Sequence, residues 1–227
     1  MKKYIIRLKD NIISNKHANE CMVQAKKYNI NLEYFDAING LEYKTHIDKL
    51  NIKPKYFFKE GRAGVFGCFL SHYYLWKKCV EDNIPYLILE HDGYIIKKIP
   101  DDILTKFTDV LKLDDLDPYS TEYNNNLNKL SSHPITYKKY YNSMTHLTHL
   151  NMTGNYMRGA YGYIIKPHAA KKLIDWINKN GFLPADIMIG DLIVCIMVCI
   201  PSIVRIHPNY LNNNMKLLSL TQNPNLL

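Results

Sequence analysis

Apolar residues follow two spacings along this chain, and their alternation predicts strands interleaved with helices. Apolar runs of strand length occur at residues 3–8, 32–35, 86–89, 159–165 and 203–206. Between residues 65 and 80, apolar residues recur at the three- to four-residue interval of an amphipathic helix. Strands that alternate with helices indicate a mostly parallel sheet with helices on both faces. The pattern therefore predicts an α/β fold.

Residues typical of helix ends predict three more helices. Ser14 is a suitable N-cap for a helix that reaches about residue 28. Asp101 and Asp102 precede apolar residues at helical spacing, and acids stabilise a helix N-terminus, so we predict a helix over about 101–111. Pro167 and Gly181 are placed to begin and end another helix.

Two segments lack a sustained period. Residues 41–61 are rich in Lys and aromatic residues, and we predict a loop with at most one helical turn. Residues 113–158 are rich in Asn, Tyr, Ser and Thr. Loops of that length are uncommon inside a compact domain and often cover a substrate. We predict one domain over residues 1–227, with a variable, lid-forming segment at about 113–158.

Composition narrows the class of ligand. The chain has 227 residues, of which 47% are apolar and 22% charged, as in an ordinary globular domain. A net charge of +8 suits an anionic ligand such as a nucleotide-sugar, a phosphorylated glycan or a nucleic acid. The same charge would also follow from AT-rich coding, which favours Lys, Asn, Ile and Tyr. No long basic run is present, so a nucleic-acid-binding arm is not indicated.

Neither a membrane span nor a secretion signal is predicted. The most apolar run, residues 192–200, is far shorter than the roughly 20 residues that span a bilayer. The first ten residues lack the apolar core and cleavage site of a signal peptide. The five cysteines form no C-x-x-C pair, which favours buried, reduced thiols. These features predict a cytoplasmic protein.

The strand at residues 86–89 leads into two acids separated by one residue. Hard cations prefer carboxylate oxygens, and ligands of open α/β sheets gather at the carboxyl ends of strands. We therefore predict that Glu90 and Asp92 bind Mn²⁺ or Mg²⁺. His91 lies between them and is a further candidate ligand, with an expected loss of activity as it protonates near pH ~6.5. The alternative is that the two acids only cap the strand.

Six residues are candidates for binding a nucleotide diphosphate. They are Arg7, Arg62, Gly64, Gly67, Ser71 and His72. The glycines would let the backbone approach the nucleotide, and the start of the helix would present free N–H groups to an anion. Glycines also serve tight turns, and His72 could instead form a hydrogen bond within the core.

The region from residue 64 to residue 92 resembles glycosyltransferase family 25, which includes lipooligosaccharide-type and collagen galactosyltransferases. The matching residues are Gly64, Gly67, Cys68, Leu70, Ser71, His72, Trp76, Glu90 and Asp92. Two positions depart from the family pattern. Val65 replaces a Glu, and His91 replaces the middle Asp of an acidic triplet.

Further phrases extend the resemblance over most of the chain. Residues 34–40 and 159–173 each resemble a sequence motif of the family. Pro184 and Asp186 lie at the positions of the family's P-x-D motif. The resemblance implies a GT-A-like nucleotide-sugar transferase fold. It also implies metal-dependent transfer of galactose or glucose from a UDP-sugar to a hydroxyl of a glycan, a lipooligosaccharide or another acceptor. Asp186 is the candidate catalytic base by family position and Asp191 its substitute, although either could be a helix N-cap.

Two other functions stay open at this point. Loss of the family residues at Val65 and His91 would suit a protein that keeps the fold and has become a catalytically inactive binding protein. Positive charge and an Asn-, Lys- and Ile-rich composition would suit a viral or phage enzyme that glycosylates modified bases of DNA in the host cytoplasm. UDP-dependent stabilisation, and stimulation of turnover by nucleic acid, would separate these functions.

Overall fold

The computed structural model describes residues 1–55, 63–114, 134–141, 146–147, 152–157 and 159–208. The helices of these residues are α1 (Ile12–Lys26), α2 (Tyr43–Leu50), α3 (Ala63–Asp82), α4 (Pro167–Asn180) and α5 (Ala185–Met188). The strands are β1 (Lys2–Arg7), β2 (Glu33–Asp36), β3 (Tyr86–Glu90), β4 (Gly93–Ile95), β5 (Val110–Lys112), β6 (Thr136–Lys139), β7 (His146–Leu147), β8 (Met152–Thr153), β9 (Gly162–Ile165), β10 (Ile196–Ile200) and β11 (Val204–Ile206).

Seven of these strands form the main sheet, in the order β2-β1-β3-β9-β5-β10-β6. Strands β2, β1 and β3 are parallel to one another, and β5 is parallel to β10. Strand β9 is antiparallel to both of its neighbours, β3 and β5, and β6 is antiparallel to β10. The predicted α/β fold is confirmed, with a sheet that is mostly but not entirely parallel, as in a GT-A-like fold.

Helices cover both faces of the sheet because successive side chains of a strand point to opposite sides. On β3, Leu87 and Leu89 join the apolar cluster that packs against α1. Tyr86 and Ile88 join the second cluster, which packs against α3 and α4. All four side chains are fully buried. Helix α4 begins at Pro167 and ends before Gly181, as predicted.

The first helix begins earlier than predicted. The N-cap is Asn11, whose side chain accepts a hydrogen bond from the backbone N–H of Ser14 at 2.9 Å. Ser14 is buried inside the helix, where its hydroxyl accepts a hydrogen bond from the N–H of Leu8 at 2.9 Å. The prediction of Ser14 as the N-cap is therefore wrong, because the helix begins three residues earlier and Asn11 caps it.

The predicted helix over about 101–111 is also wrong. Only a short 3₁₀ turn, Ile103–Thr105, forms there, and the chain then continues as β5. Strand β5 is paired on both sides, with β9 and with β10, and these long-range hydrogen bonds outweigh the helical spacing of the apolar residues. Helix α2 is in turn longer than the single turn predicted after residue 41.

Only part of the predicted variable segment lies within the described residues. Strand β6 pairs with β10 at the edge of the main sheet, so this part of the segment is regular structure. Strands β7 and β8 form a separate two-stranded sheet. Residues 115–133, 142–145, 148–151 and 158 lie outside the described residues, so the lid over about 113–158 stays a prediction. Within the part of the chain that the structure describes, no helix is long and apolar enough to cross a bilayer.

Candidate active site

A pocket lies at the carboxyl ends of β1 and β3, where α3 begins. It is lined by residues from the end of β1, the loop after β2, the first turns of α3 and the end of β3. Six predicted site residues share it, namely Gly64, Gly67, Ser71, His72, Glu90 and His91. The carboxyl ends of parallel strands are where open α/β sheets bind their ligands.

Glu90 is held in this pocket as a carboxylate. Its Oε1 lies 3.0 Å from Nε2 of His72 and 3.6 Å from the sulfur of Cys68. Burial alone would raise the pKa of Glu90, but the hydrogen bond and the charge of His72 outweigh it and lower that pKa. The Glu90 side chain is still 21% exposed, so it remains accessible to a ligand in the pocket.

A buried chain of hydrogen bonds fixes the orientation of His72. The indole N–H of Trp76 donates to the hydroxyl of Tyr163 at 2.9 Å, and that hydroxyl lies 2.8 Å from Nδ1 of His72. An indole can only donate, so the Tyr163 hydroxyl accepts from Trp76. The other ring nitrogen of His72, Nε2, faces Glu90. His72 therefore forms hydrogen bonds within the core and also lines the pocket, and its contact with a nucleotide stays a prediction.

Tyr163→Phe is expected to destabilise the fold by about 1–3 kcal/mol, because it leaves the buried donor of Trp76 and Nδ1 of His72 without their partner. Urea unfolding measures the loss. Tyr74→Phe is the matched control, since its hydroxyl also lies 2.9 Å from a histidine Nδ1, that of His46, at a partly buried position. Equal losses in the two variants would contradict a special role for the buried chain.

Asp92 contains a buried oxygen that lacks a partner. Among the described residues no group forms a hydrogen bond with its Oδ1. Burial, followed by the nearby charge of Glu90, raises the pKa of Asp92 to about 8. An unsatisfied buried carboxylate oxygen costs free energy, and a bound cation would satisfy it. The carboxylate oxygens of Glu90 and Asp92 are therefore suitable ligands for a hard divalent cation.

His91 differs from its expected behaviour. Burial lowers its pKa to about 4, and this effect is opposed by the charge of Glu90 and reinforced by His17 and His207. His91 is therefore neutral across the physiological range, and the expected loss of activity near pH ~6.5 cannot be assigned to it. Its carbonyl oxygen lies 3.5 Å from the sulfur of Cys21, which anchors the turn to α1.

The two predicted catalytic acids lie in different surroundings. Asp186 is in the first turn of α5, and burial, followed by the charge of Glu90, raises its pKa to about 6. The N-cap of that helix is Pro184, so Asp186 does not cap it. Asp191 is exposed and accepts hydrogen bonds from the backbone and side-chain N–H groups of Asn155 at 3.0 and 2.9 Å. The charge of Glu90 therefore acts on Asp186, whereas the printed hydrogen bonds of Asp191 are to Asn155.

Gly67 and Ser71 position one wall of the pocket. A side-chain carbon at Gly67 would lie 2.6 Å from the carbonyl oxygen of Ile38, so only glycine allows α3 to approach this loop. The Ser71 hydroxyl accepts from the N–H of Ile38 at 2.9 Å and donates to the carbonyl of Gly67 at 2.7 Å. Both residues thus hold the loop after β2 against α3.

Arg7, one of the two arginines predicted to bind phosphate, does not line the described pocket. The Arg7 guanidinium donates to Asp36 at 3.0 Å and to Asn15 at 3.1 Å, and it stacks 3.8 Å above the ring of Tyr34. Through these contacts, Arg7 links β1 to β2 and to α1. Arg62 lies outside the described residues.

Sequence reasoning missed the roles of Tyr163 and His207. Tyr163 lies within an apolar strand, and a tyrosine hydroxyl in such a strand indicates that it has a buried hydrogen-bond partner. His207 follows β11 and donates its backbone N–H to the carbonyl of Asp92 at 2.7 Å. Neither contact is local, so periodicity along the chain could not reveal it.

Comparison with known proteins places these residues in a family. Residues 1–189 match the model of glycosyltransferase family 25, described as an LPS biosynthesis protein. The chain is also similar to the lipooligosaccharide biosynthesis protein lic2B of Haemophilus influenzae, with 31% identity over 78 residues. That match spans 34% of this chain and only 29% of the relative. Because the family model covers most of the chain, including the pocket and its acids, this protein belongs to glycosyltransferase family 25.

Proposed function

We propose that this protein transfers a hexose, galactose or glucose, from a UDP-sugar to a hydroxyl of a glycan acceptor, with Mn²⁺ or Mg²⁺ held by Glu90 and Asp92. The observation that carries the proposal is the buried, unpartnered Oδ1 of Asp92 beside a pocket at the carboxyl ends of the strands. Family membership supports the glycosyl transfer. The name of the lic2B relative favours a lipooligosaccharide as the acceptor over the modified DNA considered above.

The donor diphosphate is expected to occupy the pocket beside Glu90. A cation bound there would neutralise negative charge that develops on the departing diphosphate, an effect that is commonly a large part of catalysis. The chain formed by Trp76, Tyr163 and His72 holds the Glu90 carboxylate in one orientation. The loop held by Ser71 forms another part of the pocket wall.

Asp186 is the proposed base for the acceptor hydroxyl. It is close enough to Glu90 for that charge to raise its pKa to about 6. A carboxyl group with this pKa is ionised at neutral pH and still binds a proton more readily than an ordinary aspartate does. The influence of Glu90 on Asp186 supports a proton acceptor close to the proposed donor site.

Turnover of nucleotide-sugars tests the proposal directly. The protein is incubated with UDP-galactose or UDP-glucose and a lipooligosaccharide acceptor, with and without Mn²⁺, and released UDP is measured. We expect UDP release that requires both the cation and the acceptor. Thermal stabilisation by UDP and Mn²⁺ without any turnover would instead identify the inactive binding protein. Absence of both turnover and stabilisation would contradict the proposal.

A further inference from the structure

A second group of ligand-forming side chains shares no residue with the lining of the pocket, although it lies close to His91 and Asp92. It consists of His17 and Glu20, one turn apart on α1, and His207, which follows β11. One ligand atom from each residue lies within 4.8 Å of the other two. Nε2 of His207 is 2.7 Å from Oε2 of Glu20, and the two imidazole rings stack with their centroids 4.5 Å apart.

The fold holds the two histidines in place before any ligand binds. His17 and His207 are only 5% and 3% exposed. The backbone N–H of His207 is bonded to the carbonyl of Asp92, and the ring of Tyr94 meets the His207 ring edge-on at 5.1 Å. The side chain of Glu20 is 39% exposed, which leaves one side of the cluster open to solvent.

An ion pair alone explains only part of this arrangement. An ion pair with Glu20 would raise the pKa of His207. Burial has the larger effect and lowers that pKa. Burial and the neighbouring His207 also lower the pKa of His17. An imidazole binds a metal ion through its neutral form.

The surrounding charges select the class of metal. Lys16 lies near both histidines, and Arg205 lies near His207. The positive charges of Lys16 and Arg205 repel cations, so a metal ion that is held mainly by charge would bind this cluster weakly. Two imidazole nitrogens and one carboxylate are a common ligand set for Zn²⁺, whose bonds to nitrogen do not depend on a strongly negative site. Mg²⁺ and Ca²⁺ prefer oxygen ligands and suit this cluster poorly.

We propose that His17, Glu20 and His207 bind one Zn²⁺ ion, with the fourth position open to water on the solvent side. Ligand atoms of a tetrahedral zinc ion are ~3.3 Å apart, so the ligand atoms, now within 4.8 Å of one another, would move closer and the two stacked rings would tilt toward the ion. The ion would tie α1 to the segment after β11, and the N–H of His207 would connect it to the turn that carries Asp92. This site is separate from the proposed cation site at Glu90 and Asp92.

The test measures Zn²⁺ binding by the full chain without nucleotide. Protein freed of metal with a chelator is titrated with Zn²⁺ by calorimetry, and the melting temperature is followed in parallel. We expect one tightly bound Zn²⁺ per chain and a melting temperature several degrees higher with the ion. His17→Gln should weaken binding by about a hundredfold and remove most of the thermal shift.

Three further variants make the result decisive. Glu20→Gln changes a partly exposed side chain, so it should fold normally and still weaken binding, even if His17→Gln fails to fold. His168→Gln is the control, because this histidine pairs with Asp109 away from the cluster and should leave binding unchanged. Cys68→Ser tests the other group with metal-ligand spacing, formed by Cys68, His72 and Glu90.

Two results would overturn the proposal. One is a failure of the wild-type chain to bind Zn²⁺ at one ion per chain. The other is unchanged binding in Glu20→Gln together with loss in Cys68→Ser, which would move the ion to the pocket. Neither result depends on UDP-sugar turnover, so the zinc site and the proposed function fail separately.

Discussion

Asp92→Asn is expected to abolish Mn²⁺-dependent binding of UDP and to lower turnover at least a hundredfold, yet to stabilise the free protein at neutral and alkaline pH. The variant removes one of two proposed cation ligands and replaces it with a neutral group of the same shape. A buried carboxyl whose pKa is raised to about 8 favours the folded state only while it is protonated. Wild-type stability from this group is therefore present at acid pH and is lost as the pH rises from ~4 through 8.

The asparagine variant does not lose that stability. We expect its melting temperature to exceed that of the wild type by about 2–4 °C for each kcal/mol gained, with a difference that is small near pH 4 and largest above pH 8. Melting curves between pH 5 and 9, with and without Mn²⁺ and UDP, measure both effects. Asp101→Asn is the control, since the Asp101 side chain is 91% exposed. Retention of Mn²⁺-dependent UDP binding by Asp92→Asn would remove Asp92 from the cation site.

Asp186→Asn is expected to lower kcat by about 10²–10⁴-fold and to leave UDP binding nearly unchanged. The substitution removes the proposed proton acceptor and keeps the size of the side chain. Wild-type kcat should fall as the pH drops below about 6, because protonated Asp186 can no longer accept a proton. Steady-state rates from pH 5 to 8 give this profile, and the thermal shift with UDP reports binding.

Asp191→Asn is the matched comparison for that experiment. Asp191 is exposed and bonded to Asn155, so we expect its loss to change kcat little. If Asp191→Asn lowers kcat and Asp186→Asn does not, the catalytic base is Asp191 and not Asp186.

Local sequence signals predicted the elements that carry the proposed cation site. Strand β3 is a short apolar run between Pro85 and an acid, and both boundaries are visible in the sequence. Pro167 and Gly181 likewise delimit α4 because each has a strong positional preference at a helix end. The order of these elements then indicated an α/β fold.

Long-range contacts account for what the sequence did not predict. Strand β5 has only three residues and includes Lys112, and its strand conformation depends on hydrogen bonds to β9 and β10. The bond between His72 and Tyr163 joins residues 91 positions apart. The unpartnered oxygen of Asp92 depends on how the surrounding elements enclose it, and no spacing along the chain encodes that environment.

The insertion of β9 between β3 and β5 has a consequence for synthesis of the protein. Strand β3 finds its first partner, β1, early in translation, but its other edge stays unpaired until residues 162–165 have left the ribosome. That edge is apolar, and exposed apolar strand edges recruit other chains. Chains released before β9 are therefore prone to aggregate. Strand β9, which closes this edge, also carries Tyr163, so one strand both covers the edge of β3 and supplies the hydroxyl that orients His72 toward Glu90.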